Sequence, residues 1–378
     1  MPKAIEGRRS QHRLRTTKTR TTDRWCSAAM VAAIVYLSVN ALAEKPIHRL
    51  LATNASSLQV FSAIEQLKVI RQTPKIVLVG SSLMKSPMWE VDSRHSLADA
   101  QFQTYHQARW FQEEIEKSEG RDVDVFSLAA DGATTSDVYL MCDKLLKGSR
   151  CPRLIIYGVA ARDIIAGLYG ERNDPAFKLL FEPSDCRRLG DLFTVDLQER
   201  IELELSERLP LYKNRRVVQD QISRWDQTIK SGFLAFVGRS AIDHDKSSEL
   251  VIANLGKRET CTIEDSWARL FKNQKACLSS LATLAKRRNC SLLLVNMPMA
   301  KGSFRGTKIY DSYLKTLDSC SQSPNTFLLD LADNDVSFRR DSFLQDGRHL
   351  NAAGGEQLII RLTEWIKDHK EILSTHSS

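Results

Sequence analysis

Five short, largely apolar runs recur along this chain, at 75–79, 123–126, 154–157, 291–295 and 326–331. Each is strand-length and is followed by small or polar residues, so each predicts a β-strand buried on both faces. Before, between and after them the apolar positions shift to helical spacing. Leu58, Val60, Phe61, Ile64, Leu67 and Ile70 predict a helix lying against the domain, and Phe102, Tyr105, Phe111 and Ile115 predict a second. Further helices are marked by Val138, Tyr139, Cys142, Leu145 and Leu146, then by Ile263, Trp267, Leu270, Leu278, Leu281 and Leu284. Leu358, Ile359, Leu362 and Ile366 mark the last. Pro87 and Trp89 are expected in a loop after the first strand, able to line a pocket. Strands alternating with helices predict an α/β fold, a parallel sheet with helices on both faces.

Residues 164–258 break the alternation. They are charged and helix-prone, with Leu197, Ile201, Leu205, Val218, Ile222, Trp225 and Ile229 as the apolar positions. This predicts a helical insertion, either a cap over the end of the sheet that carries the chemistry or a surface excursion.

Charge changes the picture only at the N-terminus. The chain carries a formal charge of +8, and residues 1–24 supply six of those charges, with eight Lys/Arg against Glu6 and Asp23. The rest is nearly balanced, so the basic pI gives no support for nucleic-acid binding. Residues 25–43 follow without a charged side chain, and nineteen residues of helix reach about 28 Å, close to a bilayer core. The basic flank predicts retention of that end in the cytoplasm, with the bulk outside. An uncleaved transmembrane signal anchor and a signal peptide cut after Ala43 both fit, and both make the main domain extracytoplasmic, in the periplasm or at the cell surface. The expected layout is a basic tail (1–24), the apolar segment (25–43), a linker helix (44–73) and the main domain (74–373).

Eight cysteines are scattered without Cys-x-x-Cys spacing, and no His-Glu-x-x-His occurs, so no metal or other cofactor is expected. The chemistry lies elsewhere. Asp346 stands three residues before His349, able to orient one ring nitrogen while the other serves as a base. The serine for it to act on follows the first strand, in Gly80-Ser81-Ser82-Leu83. Ser82 is the expected nucleophile, with Ser81 the alternative.

These stretches resemble the blocks of the SGNH (GDSL) hydrolase superfamily. Gly80-Ser81-Ser82-Leu83 is similar to the first block and Asp346-Gly347-Arg348-His349-Leu350 to the last. Phe126 to Ala133 resembles the second, and Leu154 to Asp163 stands where the third belongs. Ser81 replaces the usual Asp, and Ala161-Arg162 occupies the place of the third-block Asn. The resemblance implies a flavodoxin-like, three-layer α/β/α domain with strand order 2-1-3-4-5 and Ser82 at the crevice. It also implies an oxyanion hole from the backbone N–H groups of Ser82 and Gly132. Arg162, or more remotely Asn296, is the expected substitute for the missing side-chain donor.

Three functions follow: an esterase acting on acylated envelope glycans or small esters, an O-acyltransferase of an envelope polysaccharide fed by a membrane acyl-donor partner, or an inactive scaffold that binds a glycan or protein.

Overall fold

The computed structural model describes residues 30, 31, 34, 35, 38, 55–70, 73–98, 101–165, 175–194, 197–209, 264–299, 307–332 and 338–374. The five predicted strands are present as β1 (Ile76–Gly80), β2 (Val125–Ser127), β3 (Leu154–Val159), β4 (Ser291–Asn296) and β5 (Thr326–Asp330). All pairings are parallel and the order is β2-β1-β3-β4-β5. The sheet is doubly wound, and its strand order reverses between β1 and β3. Crevices form at such a switch point, outside the carboxyl ends of the strands.

Strand residues alternate between two cores. Val77, Val79, Ile155, Tyr157, Leu292 and Leu294 face one side, where they meet helices α1 (Ala55–Val69), α4 (Thr135–Leu145), α9 (Glu264–Arg287) and α10 (Lys308–Ser321). Ile76, Leu78, Leu154, Ile156, Leu293 and Val295 face the other, packed on α2 (Ser82–Arg94), α3 (Arg109–Glu119) and α11 (Ala352–Asp368). Burial on both faces explains why the strands read as unbroken apolar runs. Val60, Ala63 and Leu67 bury the inner face of α1 in the first core, so the expected linker helix is packed on the sheet's own helical layer.

Two expectations fail here. Pro87 and Trp89 lie inside α2, not in a loop. An interior proline forfeits one helical hydrogen bond, but Leu83, Met84, Met88 and Val91 bury the helix around it. The helix expected across 102–115 is divided into a single 3-10 turn, Phe102–Thr104, and α3. Tyr105 and His106 run into the core between them. The Tyr105 hydroxyl donates to Asp92 Oδ2 at 2.7 Å, and Ser127 N donates to His106 O at 2.9 Å. The Asp92 carboxylate also takes the Arg109 and Trp110 N–H groups at 2.8 and 2.9 Å, capping α3 from across the fold.

The third strand leads into the short helix α5 (Ala161–Ile165). The described part of the predicted insertion is helical: α6 (Pro175–Leu180), α7 (Asp185–Phe193) and α8 (Leu197–Arg208). Phe177, Phe181 and Phe193 cluster there with centroids 4.4–5.4 Å apart and join the first core. Val218, Ile222, Trp225 and Ile229 lie outside the described residues, as do Cys26, Cys261 and most of the apolar segment 25–43. Among the described residues no helix is long and apolar enough to cross a membrane, and the six described cysteines are free thiols.

Candidate active site

Gly80 ends β1 where the chain must turn sharply. Its φ is +143°, and a Cβ there would stand 2.6 Å from Gly158 O on β3. Only glycine permits both the backbone angle and so close a neighbour. The turn delivers Ser81 and Ser82 to the start of α2. Ser81 is its N-cap, accepting from Leu83 N at 3.4 Å. Ser82 is the first helical residue, so its N–H belongs to the set that a helix start leaves without an intrahelical acceptor.

His349 arrives from the other end of the chain on a stiff loop. An antiparallel bridge joins Phe343 to Leu350, Leu344 N donates to His349 O at 2.8 Å, and Gly347 N donates to Leu344 O at 2.9 Å. Gly354 and Gly355 bring this loop against α2. A Cβ on Gly354 would lie 2.2 Å from Ser342 O, and one on Gly355 would lie 2.6 Å from Val91 Cγ2 and 2.7 Å from Pro87 O.

The result is a line of three side chains. His349 Nε2 lies 2.8 Å from Ser82 Oγ, and His349 Nδ1 is hydrogen-bonded to Asp346 Oδ2. Asp346 Oδ1 accepts from the backbone N–H of Arg348 at 2.9 Å and of His349 at 3.1 Å. Partial burial would raise the Asp346 pKa. The bonds from Arg348 and His349 outweigh it and hold the carboxyl down at about 2, ionised at any working pH.

The two candidate serines part company. Ser81 is 2% exposed and its hydroxyl is bonded to Asp163, while Ser82 faces His349. Asp163, the third residue of α5, is itself buried and accepts from Ala160 N at 3.1 Å. Burial lifts its pKa to about 6, against the pull of the Ala160 N–H, the Arg162 charge, the Ser81 hydroxyl and the His349 charge. Serine at 81 is thus a donor to a buried carboxyl, where an aspartate would place a second acid beside it. Sequence reading passed over this role, although Asp163 sits within the third block.

Gly132 lies in the turn that follows β2. Leu128 N donates to Leu78 O at 2.8 Å and Ala130 N to Gly80 O at 3.0 Å, so the chain runs beside β1 up to its last residue. The turn is closed by Ala133 N donating to Ala130 O at 3.1 Å, with Gly132 exposed at φ +71°. Arg162 is half-buried on α5. Its charge acts on Asp163, and no hydrogen bond joins it to Ser82 or His349. Asn296 is occupied elsewhere: its Nδ2 donates to Asp330 Oδ1 at 2.8 Å and its Oδ1 accepts from the Tyr313 hydroxyl at 2.7 Å. Among the described residues no cluster of His, Cys, Asp and Glu is placed to hold a metal ion.

Fold and site together define a doubly wound α/β domain with a Ser–His–Asp line at its strand switch point. No family model and no curated protein matches the chain. Among solved structures it is similar to TesA, with 12% identity and a TM-score of 0.38 over 78% of this chain and 98% of that one. It is also similar to the lipase Lip_vut3 from a goat rumen metagenome, with 11% identity and a TM-score of 0.36 over 77% and 97%. A third is a catalytic mutant of Axe2, an acetylxylan esterase from Geobacillus stearothermophilus, with 10% identity and a TM-score of 0.39 over 79% and 95%. At such low identity and score the likeness bears on no individual residue of the site.

Proposed function

We propose that this chain is an extracytoplasmic serine esterase of the SGNH type, acting on acyl esters of cell-envelope glycans. The observation that carries the reading is the 2.8 Å contact from His349 Nε2 to Ser82 Oγ, with ionised Asp346 behind the ring. His349 takes the Ser82 proton as Oγ attacks the acyl carbonyl, and Asp346 stabilises the imidazolium that forms. The carbonyl oxygen becomes an oxyanion at the start of α2. There the N–H groups of Ser82 and Gly132 and the positive end of the helix oppose its charge. His349 then gives its proton to the departing sugar oxygen. Water, deprotonated by the same ring, releases the acid and frees Ser82.

The glycan and the location rest on lesser supports. The Asp346 side chain is 44% exposed, so the line of residues lies at the surface, where a polymer can reach it. The N-terminal charge pattern supports a single-pass anchor with the domain outside, and Met30, Val31, Ile34 and Val35 are helical with exposed apolar side chains. A second reading draws on the same two features. In an anchored protein with an open site, a polysaccharide hydroxyl replaces water at the acyl-enzyme, and the product is an O-acylated polymer.

A fluorophosphonate probe tests the chemistry on the full chain. Ser82 is expected to label, and labelling should vanish in Ser82→Ala and His349→Ala. A folded wild type that stays unlabelled would leave only a binding scaffold.

A further inference from the structure

Gln59 of α1 is almost fully buried and meets a residue 72 positions away with both ends of its amide. Nε2 donates to Asp131 Oδ2 and the Asp131 backbone N–H donates to Oε1, each at 2.7 Å. Asp131 is the second residue of the turn that ends in Ala133, and Gly132 is the third. With φ positive only at the third residue, this is a type II arrangement. A type I turn over the same four residues differs mainly by a flip of the central peptide, which is the peptide that carries the Gly132 N–H. Glycine tolerates both forms, so the turn's own residues do not decide which is adopted. The bonds from α1 fix the residue on the near side of that peptide.

The surroundings point the same way. Lys85, one helical turn beyond Ser82, is completely buried. Its Nζ donates to Gln103 O at 3.4 Å, lies 4.9 Å from the centre of the Phe102 ring, and attracts the Asp131 carboxylate. The 3-10 turn that supplies Phe102 and Gln103 is tied to α1 in turn, through Gln66 Nε2 donating to Thr104 O at 3.1 Å. Helix α1 thus braces the second-block turn directly and, through the 3-10 turn, the cradle of the buried ammonium facing it.

We propose that Gln59 is a positioning residue, holding the Ala130–Ala133 turn in the form that aims the Gly132 N–H at the acyl oxyanion. The assignment rests on the acyl-enzyme reading above. A glutamine suits the task because one amide offers both a donor for the carboxylate and an acceptor for the N–H.

The test uses the full chain and three variants: Gln59→Ala, the near-isosteric Gln59→Glu, and the double variant Gln59→Glu/Asp131→Asn, which reverses the polarity of the side-chain bond. Hydrolysis of p-nitrophenyl acetate gives kcat and KM, and deuterium exchange is followed in the peptide covering 128–134. Each single variant should lower kcat by about 10²-fold, the scale of losing one oxyanion donor, with KM within about threefold and faster exchange in that peptide. The double variant should regain kcat to within about tenfold of wild type. Wild-type kcat in both single variants, or a loss that the double variant does not regain, would overturn the proposal. A wild type without turnover or probe labelling would remove the esterase reading instead. The exchange data would then judge the clamp alone, and unchanged exchange in Gln59→Ala would end it.

Discussion

Replacing Gly80 with alanine should damage both the sheet and the nucleophile. The new Cβ would meet Gly158 O at 2.6 Å and Met84 Cβ at 3.2 Å, and the φ of +143° is one that side chains rarely adopt. The backbone strain costs about 1–3 kcal/mol. Parting β1 from β3 to relieve the overlap costs a further 1–3 kcal/mol, approximately. The sum of about 4 kcal/mol is a large share of the roughly 5–15 kcal/mol that holds a domain folded. Gly132→Ala is the internal control. Its φ is also positive, at +71°, but nothing lies within 4 Å of the added Cβ, so only the local strain of about 1–2 kcal/mol applies. Urea unfolding should lower the midpoint of Gly80→Ala at least twice as far as that of Gly132→Ala, with unchanged slope. Ser82 lies two residues beyond Gly80, and a displacement of about 1 Å costs about 10² in rate. The kcat of Gly80→Ala should fall by that order. Equal midpoint shifts in the two variants would refute the steric argument.

Two further outcomes follow from the carboxyls. Burial raises the Asp163 pKa from 3.8 to about 6, so the folded state holds this proton more tightly than the unfolded state. Its contribution to stability is greatest below about pH 4 and is lost by about 3 kcal/mol as pH rises through 6. Asp163→Asn should remove that slope, so its melting temperature gains on wild type between pH 4 and 7; parallel curves would argue against a buried acid there. Asp346→Asn keeps an oxygen for the Arg348 and His349 N–H groups but turns an amide toward His349 Nδ1. A drop in kcat on the order of 10³ or more is expected at pH 7, and a loss smaller than tenfold would show that Asp346 does not fix the ring.

The sheet was legible because double-sided burial leaves its mark on consecutive residues, as in Leu154 to Tyr157. The Asp346/His349 pair was legible because its geometry is local, three residues within one loop. What escaped was decided at a distance. Pro87 argued against a helix, and tertiary packing of Leu83, Met84, Met88 and Val91 overrode it. The break before α3 depends on Asp92, a cap from another element. The roles of Gln59 and Asp163 depend on partners and burial that no spacing displays. Ser81 and Ser82 were separable only once one was seen to face a buried acid and the other an imidazole.

The glycine pair at 354–355 has a bearing on how this site behaves when warmed. Nucleophile and base belong to elements pressed together backbone to backbone, with Pro87 O and Ser342 O occupying the space where side chains would otherwise stand. Neither element can drift from the other without opening the second core, where Val91, Leu358 and Ile359 are buried. The Ser82–His349 contact is therefore a property of the folded block as a whole. Heating should leave the pair aligned until the cooperative transition, so that catalytic power and tertiary structure disappear over the same few degrees.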